Sequence, residues 1–298
     1  MSWQLQLLNA QLRLFTRPRI GRTRTPEEAQ KSVELSSKLA IAPPYLRILE
    51  RAGGLYWICC GSCRPDRVVL YFHGGGFISG SPLTHSAMLG ALSCDTGVEV
   101  CALRYPLTQE APFPAQIEAA MSAWERLRHL GYKPKDIVLG GDSAGGGLAL
   151  CLLSQLCQRG EAPSGVFTFS PWTDLALTGE SLTENAQQDP ILPPERIHEL
   201  AEIVLDGADP CDPRASALYA AFPDCPPVWI AWSETEILRD DGARMAARLR
   251  DEGADVQTEV HSSAPHVWPL FQGWVPEGTE TLKHAAQFVQ ESFADNSR

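Results

Sequence analysis

Residues 137–149 read IVLGGDSAGGGLA: a short apolar strand runs straight into Gly-Asp-Ser-Ala-Gly and on into small, helix-compatible residues. No other stretch narrows the fold so far. Ser143 lies between Gly141 and Gly145, the G-x-S-x-G spacing of a tight strand-to-helix turn. Side chains two residues to either side of the serine would collide in such a turn, so glycine is required there. A helix beginning at Ala144 aims its positive end at the reacting oxygen and favours negative charge developing there. The turn thus presents one serine as a nucleophile. Chance supplies the pattern in roughly one chain in ten of this length, and a glycine-rich turn that only packs helix on strand would look the same. The rest of the sequence has to decide.

Around this turn, strand-like and helix-like segments alternate from residue 66 onward. Strands are expected over 66–72, 98–105, 137–140, 165–170, 227–233 and 255–261, bounded by turn residues. Helical stretches are expected around 84–94, 115–130, 144–159, 241–252 and 279–293; the second carries Ile117, Met121, Trp124 and Leu127 at helical spacing. This alternation predicts an α/β fold with a mostly parallel sheet covered by helices on both faces. Residues 172–222, rich in Pro, Asp and Ala with one helical piece around 194–206, break the rhythm and read as an insertion.

Composition removes several classes of function. A net charge of −11 argues against nucleic acid, which needs a basic surface. No run of eighteen apolar residues exists, so no membrane span is expected. The nine cysteines are an odd number, several inside apolar runs such as Leu150–Cys151–Leu152. Cys60 and Cys63 form a C-x-x-C with no second pair, which argues against a zinc site, and a reduced cytoplasmic setting fits best. Before Glu27 the chain has five arginines, no acidic residue, and Trp3, Leu5, Leu8, Leu12 and Phe15 interleaved. That pattern suits a transit peptide or interfacial helix, or an amphipathic helix docked on the body; docking is the preferred reading.

A serine nucleophile needs oxyanion donors, a base and a residue that orients the base. His73-Gly74-Gly75-Gly76-Phe77 follows the strand 66–72 directly, and an HGGG loop there supplies donors to complement the elbow. The backbone N–H groups of Gly75, Gly76 and Ala144 are the expected oxyanion hole. The base should follow the last strand, in the order serine, acid, histidine. Of seven histidines, His266 in the loop SSAPHVWPLF fits that place, with His261 at the strand end as runner-up. His85, His129, His198 and His284 fall in or beside expected helices and read as surface residues. The acid should follow the strand 227–233; Asp240 and Asp241 read as helix N-terminal caps, which leaves Glu234 and Glu236.

In these segments the chain resembles the hormone-sensitive-lipase-like esterases, the bacterial family IV group of the α/β-hydrolase superfamily. The resemblance runs through HGGGF at 73–77, a degraded D-Y-R-L-A-P-E-x-P-F-P-A stretch at 104–115, GDSAGG at 141–146, SPWTDL at 170–175 and HVW at 266–268. The family's D-P-L-R-D acid motif aligns with Glu236-Ile237-Leu238-Arg239-Asp240, which makes Glu236 the expected triad acid in place of aspartate. In the 104–115 stretch, Arg104 stands where the family has aspartate, and Leu107-Thr108-Gln109 departs from its Ala-Pro; those residues support structure. The resemblance implies an α/β-hydrolase core (46–174 and 218–298) under a helical cap made of 1–45 and the insertion 175–217. It implies a carboxylesterase acting on short- to medium-chain esters or small lactones through an acyl-enzyme on Ser143, His266 and Glu236. No metal or organic cofactor is implied. Phe77, Trp172, Trp268 and Phe271 are candidates to line the pocket. An amidase or peptidase would use the same three residues, and a ligand-binding protein on a dead hydrolase fold would lack one of them. Members of the group are often dimers, so a homodimer is an option.

Overall fold

Among residues 1–295, which this computed structural model describes, eight strands form one sheet in the order β1-β2-β4-β3-β5-β6-β7-β8. The strands are β1 (Leu46–Arg51), β2 (Leu55–Cys60), β3 (Arg64–Phe72), β4 (Val98–Leu103), β5 (Ile137–Asp142), β6 (Gly165–Phe169), β7 (Val228–Ser233) and β8 (Val256–His261). All neighbours from β4 to β8 are parallel, while β1, β2 and β4 pair antiparallel. The six strands expected from residue 66 onward are present within a few residues. The antiparallel pair β1–β2 lies ahead of the stretch where that alternation was read. Its outer strand is nearly all exposed, so it carries no buried apolar run.

The helices are α1 (Trp3–Gln11), α2 (Arg17–Arg22), α3 (Pro26–Ser37), α4 (Ser86–Thr96), α5 (Ala115–His129), α6 (Ser143–Gln158), α7 (Ser181–Glu184), α8 (Pro194–Leu205), α9 (Arg239–Asp251) and α10 (Pro276–Asp295). A π turn at Leu12–Thr16 joins α1 and α2 into one continuous helix. The sheet divides the core in two. Val68, Leu70 and Phe72 of β3 pack into one cluster with α5, α6 and α9, and Val69 and Tyr71 into another with α4 and α10. That two-residue alternation is the pleat of a strand buried on both faces, and it explains why VVLYF reads as an unbroken apolar run. None of the described helices is long and apolar enough to cross a membrane.

The arginine-rich N-terminal helix lies against the body. It buries Leu5 and Leu12. The Ser2 hydroxyl donates to Glu277 at 2.8 Å, and Asn9 Nδ2 donates to the carbonyl of Ser263 at 2.8 Å. Arg13 reaches the carbonyl of Gln188 at 2.8 Å, and Arg17 that of Ala186.

Candidate active site

Ser143 is the first residue of α6, at the C-terminal end of a central strand, where crevices of open α/β sheets lie. Its φ of +52° is unfavourable for a residue with a Cβ, so the surrounding packing must hold it there. Trp172 N–H helps, donating to the Ser143 carbonyl at 2.9 Å. On the far side of the turn, a Cβ on Gly145 would run into the carbonyl oxygens of Phe72 and His73 at the end of β3. The glycine is there because the helix approaches the neighbouring strand's backbone that closely.

Two loops bring partners to this serine. His266 Nε2 stands 2.8 Å from Ser143 Oγ, and His266 Nδ1 stands 2.7 Å from Glu236 Oε2. A carboxylate only accepts, so Nδ1 carries the proton and Nε2 is left as acceptor for the serine hydroxyl. The other Glu236 oxygen accepts from Ser170 Oγ at 2.8 Å and from Ser233 N–H at 2.9 Å. Ser170 Oγ in turn accepts from Val267 N–H at 3.1 Å, tying the acid to the residue after the histidine. Burial pushes the His266 imidazole down, but the hydrogen bond and charge of Glu236, with Asp189 and Asp142 behind it, hold it above the ordinary histidine value. The runner-up residues fall elsewhere. Glu234 is exposed, and His261 Nδ1 accepts from Ser263 N–H at 3.0 Å.

The acid loop is braced by residues that the sequence did not single out. Asn185 Nδ2 donates to the carbonyls of Glu234 at 2.8 Å and Glu236 at 2.7 Å. Asp189 accepts Ile237 N–H at 3.0 Å with one oxygen, and Ile191 and Leu192 N–H with the other. Both are buried within 172–222, the stretch whose pattern is least regular. The one available signal is Asp189-Pro190, a turn opener whose carboxylate takes N–H groups just downstream. Asp240 and Asp241 are not the helix caps that their position suggests, because α9 begins at Arg239, ahead of them. Asp240 accepts Ser181 N–H at 2.9 Å, and Asp241 accepts Thr173 and Asp174 N–H at 2.8 and 2.9 Å. Burial pushes the Asp241 carboxyl up to about 7.

The glycine loop rests on a second polar network. Asp142, beside the serine, accepts Tyr71 O–H at 2.8 Å and Gly74 N–H at 3.0 Å, and faces His85 Nε2 at 3.3 Å. His85 is therefore buried, not on the surface as its helix-edge position suggests: a charge ending a buried apolar strand needs a partner, and His85 is it. Burial raises the Asp142 carboxyl and lowers the His85 imidazole, but their mutual attraction outweighs both, leaving Asp142 below and His85 above its ordinary value. His73 is pushed down to about 3 by burial and the neighbouring His85. It stays neutral, its Nδ1 2.8 Å from the Gly74 carbonyl, while Tyr105 O–H donates to the His73 carbonyl at 2.6 Å. Gly75 and Gly76 follow with φ of +115° and +62°. Among the described residues, the N–H groups of Gly75, Gly76 and Ala144 donate to no protein acceptor.

Beside this loop lies a narrow apolar slot of ≈10 Å³ whose walls include Phe77, Phe113, Ile117, Leu148, Leu175 and Val204. Trp172 packs against Phe77 with ring centroids 6.4 Å apart. Trp268 points the other way, into the core with α10, where its indole N–H bonds Thr281 at 2.9 Å. Of the described residues, no group of three or more His, Cys, Asp or Glu could hold a metal ion.

The chain as a whole is similar to known hydrolases. Residues 69–270 match a family model described as the alpha/beta hydrolase fold. An esterase of Acinetobacter venetianus is 34% identical over 225 residues, covering 75% of this chain and 74% of that one. An acetyl-hydrolase of Streptomyces hygroscopicus is 35% identical over 225 residues, covering 75% of each. Among solved structures, an esterase from the bacterial hormone-sensitive lipase family superposes with a TM-score of 0.92 at 34% identity, over 98% of this chain and 99% of that one.

Proposed function

We propose a mechanism from the premise that the chain belongs to the α/β-hydrolase fold family and, within it, to the hormone-sensitive-lipase-like carboxylesterases. In it, Ser143 Oγ attacks the ester carbonyl while His266 Nε2 takes its proton. Glu236 holds the imidazole in the tautomer that accepts, and stabilises the cation that forms. The tetrahedral oxyanion rests on the N–H groups of Gly75, Gly76 and Ala144, each such donor contributing about 3–4 kcal/mol of transition-state stabilisation. His266 then protonates the leaving alcohol, and later activates the water that releases the acyl group from Ser143.

The observation that carries this reading is the hydrogen-bonded line Ser143–His266–Glu236, at 2.8 and 2.7 Å. It joins residues 123 and 30 positions apart in the chain and ends on a serine whose backbone is held at positive φ. Residues 1–45 and 175–217 form the cap, with Leu200 of α8 reaching over the glycine loop, where a Cβ on Gly76 would meet it at 3.1 Å. The substrates are esters of short to medium acyl chains. The slot's wall residue Leu148 lies five positions along α6 from Ser143, about 7.5 Å by helical rise, and the slot is narrow. The acetyl-hydrolase relative points the same way.

The test is a series of p-nitrophenyl esters from acetyl to dodecanoyl, run on the parent and on Ser143→Ala. Highest kcat/KM at the short end and loss of turnover in the variant are expected. Turnover retained by Ser143→Ala would remove the serine from the mechanism, and a preference for long chains would remove the substrate assignment.

A further inference from the structure

The helix 3–22 is apolar on two opposite faces, and only one of them is covered. Leu5 and Leu12, seven residues apart, point into the body and are buried. Trp3, Leu7 and Leu14, at spacings of four and seven, share the opposite face and are 69%, 53% and 68% exposed. Phe15, at 71%, adds to the exposed apolar surface. The inner residues and the bonds to Glu277, Ser263 and Gln188 already hold the helix in place, so docking leaves the outer residues without a role. Scattered apolar residues on a surface are ordinary; a three-turn stripe containing Trp is not.

Charge says what covers the stripe. Residues 1–24 hold five of the 25 basic residues and none of the 36 acidic ones. The remainder therefore carries 20 basic against 36 acidic residues, a net −16 beside a segment at +5. Arg19, Arg22 and Arg24 are exposed. A second copy of this chain meeting the first across a two-fold axis on this face would bring two +5 segments together. An anionic bilayer matches on both counts: arginines meet lipid phosphates, while Trp and Leu enter the headgroup and acyl boundary of a helix lying in the interface plane. We propose that the outer face of helix 3–22 docks this protein on anionic membrane surfaces, without insertion across them.

Co-sedimentation of the full chain with vesicles tests this. The expected result is binding to phosphatidylserine-rich vesicles at least about tenfold tighter than to pure phosphatidylcholine, weakening as salt is added. The triple variant Trp3→Ser/Leu7→Ser/Leu14→Ser should bind at least about tenfold more weakly, and Arg19→Ala/Arg22→Ala/Arg24→Ala should lose the preference for phosphatidylserine. Because these side chains are exposed, thermal midpoints within about 2 °C of the parent are expected and confirm folding. Failure of the parent to sediment with phosphatidylserine-rich vesicles overturns the proposal, as does equal binding to both vesicle types. A concentration-dependent dimer that the serine triple variant dissolves, without vesicle binding, overturns it in favour of a second copy.

Discussion

Two buried carboxylate–histidine pairs flank Ser143, and they differ in what the far side of the imidazole touches. In Glu236–His266, the second ring nitrogen faces the serine hydroxyl at 2.8 Å, a proton that can move. In Asp142–His85, it faces Thr84 Oγ1 at 2.9 Å and the Ser81 carbonyl at 3.1 Å, so the ring is tied at both ends. Both carboxylates also hold backbone: Glu236 takes Ser233 N–H, and Asp142 takes Gly74 N–H. On the proposed mechanism, the same pair of groups serves chemistry in one place and loop geometry in the other. The partner of the distal nitrogen separates the two roles.

Replacements should break this symmetry in order of size. Ser143→Ala or His266→Ala should lower kcat by roughly 10⁶, leaving only the oxyanion donors and binding, as single-turnover assays on a butyryl ester would record. Glu236→Gln should cost about 10⁴ by disturbing the tautomer, while Glu234→Gln on the exposed side of the same loop stays within about twofold. Equal losses for the two would discard Glu236 as the orienting acid. Asp142→Asn should act mainly on stability, lowering it by about 1–3 kcal/mol in urea melts, with a smaller loss of kcat through a loosened glycine loop.

The two pairs should also separate by pH. The proposed mechanism needs neutral His266, and its pKa is raised, so the acid limb of kcat/KM should lie above pH 6.5. In Glu236→Gln the strongest raising partner is gone, leaving burial opposed only by Asp189 and Asp142, so the limb of the residual activity should move down. For the second pair the readout is stability. Asp142, depressed when folded, stabilises above its unfolded value near 3.8 and loses this as pH falls through its lower folded value. His85, raised when folded, stabilises below its unfolded value near 6.5 and loses this as pH rises through its folded value. The Tm gap between parent and Asp142→Asn should therefore be widest between about pH 4 and 6.5 and narrow toward pH 9. A gap independent of pH would mean that the pair is not ionised.

What could be read from the sequence follows the same division. Ser143, His266 and the loop at 74–76 stand in short patterns set by local geometry, where a tight turn or a close approach dictates glycine on the spot. Glu236 required the family's spacing, because two glutamates in one loop are locally equivalent until burial distinguishes them. Asn185, Asp189 and His85 leave almost no trace, since each is defined by a partner 48 to 57 positions away. The antiparallel strands β1 and β2 lie outside the alternation of strand and helix: β1 is mostly exposed, and β2, though an apolar run (LYWICC), has no helix after it to mark it as part of a β-α unit.

The contact between Asn9 and Ser263 bears on how the protein is made. Translation delivers the first helix long before residues 186–188 and 263 exist to receive it. Until then its inner stripe, with Leu5 and Leu12, has nothing to cover it, and the nascent chain presents apolar surface on both sides of one helix. The glutamate and histidine loops leave the ribosome well after the helix, which docks on the histidine loop and on the brace of the glutamate loop. On the proposed mechanism, hydrolysis therefore waits until residue 266 has been made, and in the interval before docking the helix's apolar surface is open to aggregation.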